Sequence, residues 1–255
     1  SAGRLIHQGG GILIFLLLLS GVAAYALYKY LNKSTTPEET LRKAIAKGEI
    51  VPYYQPIVNG REGTLRGVEV LARWKHPKAG FISPSVFIPA AEKSGLIVPL
   101  TRSLMAQVVA HMNAIESKLP EGFHIGINFS ASHIISPTFV AECLEYKKNF
   151  IRKDLNLVIE VTEREPLHVD EHLIQTLNVL HENGFAIALD DFGTGMANFS
   201  ALSEVSYDYI KVARDLFVML RQTPEGRNLF TLLLQLMNRY CRGVIVEGVE
   251  TLEEW

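Results

Sequence analysis

Residues 186–195, AIALDDFGTG, place two adjacent carboxylates, Asp190 and Asp191, at the end of an apolar run that is typical of a buried strand. Neighbouring anions repel each other, and near a protein core each loses hydration free energy unless a positive charge lies close by. One interpretation is a helix N-cap, since Asp accepts hydrogen bonds from backbone N–H groups and the glycines that follow suit a turn. The other is a metal site, in which a divalent cation is coordinated by both side chains. These ten residues alone leave both interpretations open.

Six further strand-like runs surround this one, and helical patterns lie between several of them. The runs are VPYYQPIV (51–58), LRGVEVLARW (65–74), HIGINFS (124–130), LVIEVTE (157–163), DYIKV (208–212) and GVIVEGV (243–249). Strands that alternate with helices predict parallel pairing through right-handed crossovers. Seven such strands in 255 residues predict an α/β fold, a TIM-like (β/α) barrel without its eighth strand.

Nearly all of these strands are interrupted near their later half by a polar side chain. The interrupting residues are Glu69, Asn128, Glu160, Asp190 with Asp191, Lys211 and Glu247. Asp and Glu are rarely buried without a partner, so a structural role for the whole set is difficult to defend. In a barrel these side chains converge at the carboxyl ends of the strands, where such folds keep their active sites. The pattern therefore favours an oxygen-ligand cage for divalent metal.

Composition excludes several other classes of protein. The formal net charge is −2, so no basic surface predicts DNA or RNA as a partner. The only two cysteines, Cys143 and Cys241, predict neither a disulfide framework nor a zinc site. Apolar residues make up 48% of the chain, which is enough for a substantial core.

The segment 9–31 differs sharply from globular composition. Residues 9–28 carry no charged side chain, and as a helix they would span a hydrocarbon core of roughly 30 Å. Positive charges follow the segment at Lys29, Lys33, Arg42, Lys43 and Lys47, whereas Arg4 alone precedes it. The length of the apolar run predicts a transmembrane helix, and the positive-inside rule predicts residues 1–8 outside and all later residues in the cytoplasm. A signal peptide cleaved near Ala24-Tyr25-Ala26 is the alternative.

The remaining chain divides into two parts. Residues 32–48 are interpreted as a linker and a short helix, because Thr36 and Pro37 suit a helix start and Gly48 suits its end. Residues 49–255 contain all the strand-like runs and are interpreted as the catalytic domain.

Eight stretches resemble, in the same order, the motifs of the EAL-domain family of bacterial cyclic di-GMP phosphodiesterases. They are YQPIV (54–58), EVLARW (69–74), FIPAAEKSGLI (87–97), INFS (127–130), IEVTERE (159–165), LDDFGTG (189–195), YIKV (209–212) and VEGVET (246–251). The resemblance runs from about residue 41 to the end, and the ordered set is much more specific than any single stretch. It implies an EAL-type barrel that hydrolyses cyclic di-GMP to linear 5′-pGpG, uses two Mg²⁺ or Mn²⁺ ions and forms a homodimer. Together with the predicted transmembrane helix, it implies a location at the bacterial inner membrane.

The resemblance also implies roles for individual residues. The implied metal ligands are Glu69, Asn128, Glu160, Asp190, Asp191 and Glu247. Lys211 is implied to contact the attacking water, with Glu69 and Glu247 at the same catalytic centre. Gln55 and Arg73 are implied to contact the substrate. Glu163 is implied to hold the loop DDFGTG, which couples metal binding to dimerisation in the family.

The chemistry of a phosphodiester agrees with this set of residues. The substrate is already anionic and resists attack by hydroxide, whereas two hard cations about 3.5–4 Å apart can activate a water and stabilise an in-line displacement. Carboxylate and amide oxygens suit Mg²⁺ or Mn²⁺.

Several of these residues also have a purely structural interpretation. Gln55 could be an ordinary strand residue, Arg73 a cation beside an aromatic ring, and Asn128 a helix cap. Glu163 could belong to a solvated charge run, and Lys211 could extend from a strand end to solvent.

Three departures from the family pattern bear on function. Val70 replaces the usual Ala, and Val212-Ala213 stand where the family usually has Ile-Asp after the lysine. The chain also stops at Trp255, before the family's last strand, so we expect an incomplete barrel. Two alternatives to the enzyme therefore stay open: a degenerate receptor that binds cyclic di-GMP without hydrolysing it, and a membrane-tethered interaction protein without a ligand.

Overall fold

The computed structural model describes residues 18–25, 36–162, 170–194, 205–251 and 253–254. Contacts divide the chain into a first unit, residues 1–40, and a second unit, residues 41–255.

Only residues 18–25 of the apolar segment 9–31 are described, and they form eight residues of exposed helix. Within the described residues, no helix combines the length and the apolar character that crossing a membrane requires. This finding overturns the predicted transmembrane helix and, with it, the predicted location at the inner membrane.

From residue 36 onward the described residues form eight α-helices, with a short 3₁₀ helix at Glu116–Lys118. The helices are α1 (Pro37–Ala46), α2 (Pro84–Ser94), α3 (Ile97–Ala114), α4 (Ala131–Ile134), α5 (Phe139–Lys148), α6 (Glu171–Glu182), α7 (Arg214–Arg221) and α8 (Pro224–Tyr240). The local sequence explains why α6 and α8 begin where they do. The side chain of Asp170 accepts a hydrogen bond from the Leu173 N–H at the start of α6, and Thr223 does the same for Gly226 before α8.

The described strands form one eight-stranded sheet. They are β1 (Ile50–Val58), β2 (Leu65–His76), β3 (Gly80–Ile82), β4 (His124–Phe129), β5 (Asn156–Thr162), β6 (Ala186–Phe192), β7 (Tyr209–Val212) and β8 (Gly243–Val246). The order is β1-β2-β4-β5-β6-β7-β8, with β3 paired to β2. Pairing from β2 through β4 to β8 is parallel, which confirms the predicted α/β class.

The first strand departs from the predicted parallel pattern, because β1 pairs with β2 in the antiparallel sense. The connection between them, residues 59–64, is too short for the crossover of a dozen or more residues that a parallel pair requires. The Asn59 side chain instead accepts hydrogen bonds from the backbone N–H groups of Arg61 and Glu62, and these bonds close a tight turn. The three-residue β3, which pairs antiparallel to β2, was not predicted.

The two faces of the parallel sheet carry different side chains. On the outward face of β4, β5 and β6 the side chains are large and apolar, and they pack against the helices in the main hydrophobic core. The opposite face is lined by small apolar residues, among them Val158, Ala186 and Ala188, together with the predicted polar set. Small side chains on this face leave room for long polar ones, and that is where the candidate site lies.

Candidate active site

Lys211 lies at the centre of four carboxylates. Its Nζ is 2.9 Å from Glu69 Oε2 and 2.8 Å from Glu160 Oε2. It is also 2.9 Å from Asp190 Oδ1 and 2.9 Å from Glu247 Oε1. The Lys211 side chain is only 1% exposed, so the structural interpretation of a lysine reaching to solvent is wrong. We call these five residues the acid cluster.

Strand register brings the acid cluster together. On parallel strands, Asn128 is the partner of Glu160, and Asp190 pairs with the residue two places after Glu160. Lys211 sits on β7, and Glu247 directly follows β8, where its backbone N–H donates to the Val212 carbonyl at 3.0 Å. Four neighbouring strands and β2 therefore direct one charged group each to the same end of the sheet.

Asn128 extends the acid cluster. Its Nδ2 donates a hydrogen bond to Glu69 Oε1 at 2.8 Å, so both oxygens of that carboxylate are engaged. The amide oxygen of Asn128 is left as a candidate ligand. In this position Asn128 orients an acid, and it is not a helix cap, because it lies within β4 and the N-cap position of α4 is Ser130.

Asp190 and Asp191 take different roles at the end of β6. Asp190 contacts Lys211, and its Oδ1 also accepts the Asp191 N–H at 2.9 Å. Asp191 adopts a left-handed backbone with φ of 58°, a conformation that Asp tolerates better than most residues. Its carboxylate lies within 4.8 Å of ligand atoms of Asp190 and Glu247.

The charges of the acid cluster are strongly interdependent. Burial raises the pKa of Glu160 to about 8; Lys211 opposes this shift, and Glu69 and Asp190 reinforce it. Burial also raises the pKa of Glu247. Burial alone would lower the pKa of Lys211, but the four carboxylates together hold it above its usual range. One ammonium thus faces four acids, and the site has an excess of negative charge.

The arrangement fits divalent metal on two observations. Within the described residues, Glu69, Glu160 and Asp190 form one group of carboxylates whose ligand atoms lie within 4.8 Å of one another, and Asp190, Asp191 and Glu247 form a second. The two groups share Asp190. In addition, the fully buried Glu160 Oε1 has no hydrogen-bond partner among the described residues, which is costly unless another group binds it.

Gln55 and Arg73 are placed differently. Gln55 is the cross-strand partner of Glu69, and it lines a cavity of about 570 Å³ together with Glu69, Lys211 and Glu247. Arg73 does not line this cavity. Its Nη1 donates to the Ala72 carbonyl at 2.9 Å, and its guanidinium lies 6.0 Å from the ring centre of Tyr53. Glu163 lies outside the described residues, and its role stays a prediction.

Two residues at the site were not predicted. A Cβ added to Gly126 would lie 2.0 Å from Glu160 Oε1, so this glycine provides the space that the acid occupies. His124 lies on the same face of β4 and is 6% exposed. Burial, with a smaller effect of Lys211, lowers its pKa to about 4, so the imidazole is neutral. The sequence signal for both was their spacing: His124 and Gly126 precede Asn128 by four and two residues, and every second residue of a strand lies on the same face.

The departure at Val212-Ala213 does not leave Lys211 without support. Val212 and Ala213 are buried, and Ala213 is the extended residue at the start of α7. Lys211 takes its partners from four other strands or strand ends instead.

Residues 38–255 match the model of the EAL domain, and the chain belongs to the EAL-domain family. It is 64% identical over 251 residues to a probable cyclic di-GMP phosphodiesterase, PdeG, of Escherichia coli (strain K12), covering 98% of this chain and 50% of that protein. It is 36% identical over 232 residues to the cyclic di-GMP phosphodiesterase PdeL of the same organism, covering 89% and 64%. The chain therefore spans about half of PdeG and just under two thirds of PdeL.

Solved structures show the same architecture. The EAL enzyme Bd1971, in a form with cAMP and cyclic di-GMP bound, superposes with a TM-score of 0.76 at 26% identity, over 94% of this chain and 68% of that one. The phosphodiesterase PaMucR, in complex with cyclic di-GMP, superposes with a TM-score of 0.73 at 28% identity, over 84% and 87%. The predicted EAL-type α/β fold is thereby confirmed.

Proposed function

We propose that this chain is the catalytic part of a metal-dependent phosphodiesterase that hydrolyses cyclic di-GMP to linear 5′-pGpG. The observation that carries the proposal is the acid cluster: four carboxylates within 2.9 Å of one buried lysine, with an amide beside them. Relatives named as cyclic di-GMP phosphodiesterases, at 64% and 36% identity, support the choice of substrate.

The donor set suits two hard cations. Glu69, Asn128, Glu160 and Asp190 would hold one, and Asp191 with Asp190 and Glu247 would hold the other. All of these ligands offer oxygen, which favours Mg²⁺ or Mn²⁺ over softer metals. When bound, such ions supply Lewis acidity and lower the pKa of a water molecule.

The chain's own residues bind the substrate and orient the reacting groups. Lys211 draws acids from four different strands or strand ends to one point and, as a donor, can hold a nucleophilic oxygen there. Gln55, opposite Glu69, offers an amide to the substrate at the cavity wall. In the net reaction one water is consumed, one phosphorus–oxygen bond to a ribose 3′-oxygen breaks, and that oxygen takes up a proton. The product keeps a 5′-phosphate.

The test is a product assay on the full-length protein with cyclic di-GMP and Mg²⁺, comparing the wild type with Glu69→Gln. We expect 5′-pGpG from the wild type and a loss of at least about 100-fold in kcat for the variant, because one ligand and one Lys211 partner are removed together.

The matched control is Glu62→Gln. Glu62 precedes the same strand, is more than half exposed and pairs only with exposed groups, Arg66 and Thr64, among the described residues. It should keep wild-type activity. Tight binding of cyclic di-GMP by the wild type without any product would contradict the enzyme and identify a receptor.

A further inference from the structure

An exposed group of aromatic rings and cations lies on the strands that carry Gln55 and Glu69. Tyr53 is 41% exposed and Phe81 is 61% exposed, although large aromatic side chains normally reduce their contact with water. Their ring centres are 5.9 Å apart with an angle of 88° between the planes. We call Tyr53, Arg73, Lys75 and Phe81 the aromatic platform.

Two cations complete the platform. Lys75 Nζ lies 5.3 Å from the ring centre of Tyr53 and 5.8 Å from that of Phe81. Arg73 Cζ lies 6.0 Å from the Tyr53 ring. Lys75 is also the cross-strand partner of Phe81 on β3, so the hairpin of β2 and β3 fixes both side chains in one place. A purine ring and a phosphate are the groups that such a surface binds, by stacking and by charge respectively.

Strand register connects the platform to the acid cluster. Gln55 pairs with Glu69, and Tyr53, two residues earlier on β1, pairs with Leu71. Side chains two residues apart on a strand share a face and lie about 7 Å apart. Tyr53 is therefore one step along the same face from the pair Gln55–Glu69, and Arg73 and Lys75 continue that face on β2. A dinucleotide with one phosphate at the acid cluster has a base within reach of Tyr53.

We propose that the aromatic platform is a nucleobase subsite, in which Tyr53 stacks on one purine of the substrate, Phe81 contacts the edge of that purine, and Lys75 with Arg73 attract its phosphates. This inference rests on the proposed function, because it takes the cyclic dinucleotide as the ligand. It accounts for the position of Arg73, which lies away from the cavity of the acid cluster and beside Tyr53.

The test compares two substrates in the full-length protein with Tyr53→Leu and Phe81→Leu. One substrate is cyclic di-GMP, and the other is methyl 4-nitrophenyl phosphate, a phosphodiester without a nucleobase. We expect KM for cyclic di-GMP to rise about 5- to 100-fold in each variant with little change in kcat, since a contact with the base is lost while the acid cluster is intact. The rate with methyl 4-nitrophenyl phosphate should stay unchanged, and Tyr53→Phe should retain the wild-type KM.

Tyr240→Leu is the matched control, because Tyr240 is 69% exposed and precedes β8, at the end of the strands opposite to Glu247. It should leave both substrates unaffected. Equal losses with both substrates, or no change with either, would overturn the subsite. If the wild type forms no product at all, the proposed function fails. The subsite is then decided by the Kd of cyclic di-GMP for the same variants, which must rise for the subsite to stand.

Discussion

Lys211→Met lowers the free energy of unfolding of the metal-free protein by about 3–5 kcal/mol, which is the expected cost of removing one partner from a buried ion pair. The reason is that Lys211 is the shared partner of four acids, and Glu160, the most buried, is 0% exposed. Methionine has a similar length but no charge, so the packing volume is nearly kept while the acids lose their cation. Hydrolysis should fall about 100-fold or more.

Chemical denaturation of the full-length protein in EDTA, with and without added Mn²⁺, measures this effect. Mn²⁺ should restore more stability to Lys211→Met than to the wild type, because a bound cation replaces the missing charge. Lys78→Met is the control, since Lys78 lies exposed in the turn between β2 and β3. Unchanged stability of Lys211→Met in EDTA would contradict the role of Lys211 as the shared partner of the acids.

Gly126→Ala is expected to reduce hydrolysis about 100-fold and to destabilise the protein by about 1–3 kcal/mol, the usual cost of overfilling a packed interior. The added Cβ would meet Glu160 Oε1 at 2.0 Å and Glu160 Cδ at 2.9 Å. Glu160 cannot avoid the added methyl group and keep its contacts, because it is fully buried and its other oxygen is bound to Lys211 at 2.8 Å. The carboxylate must therefore leave its position in the acid cluster.

A double-mutant cycle separates this clash from a general effect of the added methyl group. Glu160→Asp shortens the acid by one methylene and should make Gly126→Ala less costly in the double variant than in the single one. Gly243→Ala is the control on β8 of the same sheet, where an added Cβ makes contacts no closer than 3.4 Å, to the Tyr209 ring. Additive changes in stability would show that Gly126 and Glu160 do not share this space.

The acid cluster was predictable because its members break a simple rule. Acids and a lysine inside apolar strands are expensive, and parallel strands bring their carboxyl ends to one edge. Glu69, Glu160, Asp190, Lys211 and Glu247 all followed from that pattern, and the structure places them in contact. The second group, with Asp191, followed from its place beside Asp190.

Other features depend on distances that a one-dimensional pattern does not contain. The space at Gly126 exists because the Glu160 side chain on the next strand crosses that backbone, and a glycine alone does not reveal which neighbour requires it. The position of Arg73 beside Tyr53 depends on the antiparallel register of β1 and β2. That register follows from a short turn, whereas the alternation of strands and helices in the rest of the chain favoured parallel pairing.

The apolar segment 9–31 shows the limit of composition as a guide. The absence of charged residues predicts a membrane span from composition alone and gives no information on the helix that the residues form. Among the residues that are described there, 18–25 are helical and exposed, and no helix of sufficient length and apolar character is present in the described chain.

Removal of divalent metal tests the central claim most directly. Full-length protein is treated with EDTA, incubated with cyclic di-GMP and then supplied with Mg²⁺ or Mn²⁺, and the products are separated by chromatography at each stage. The acid cluster predicts no 5′-pGpG in EDTA and its appearance once either ion is added. Formation of 5′-pGpG at the same rate in EDTA would contradict a metal-dependent site at these carboxylates.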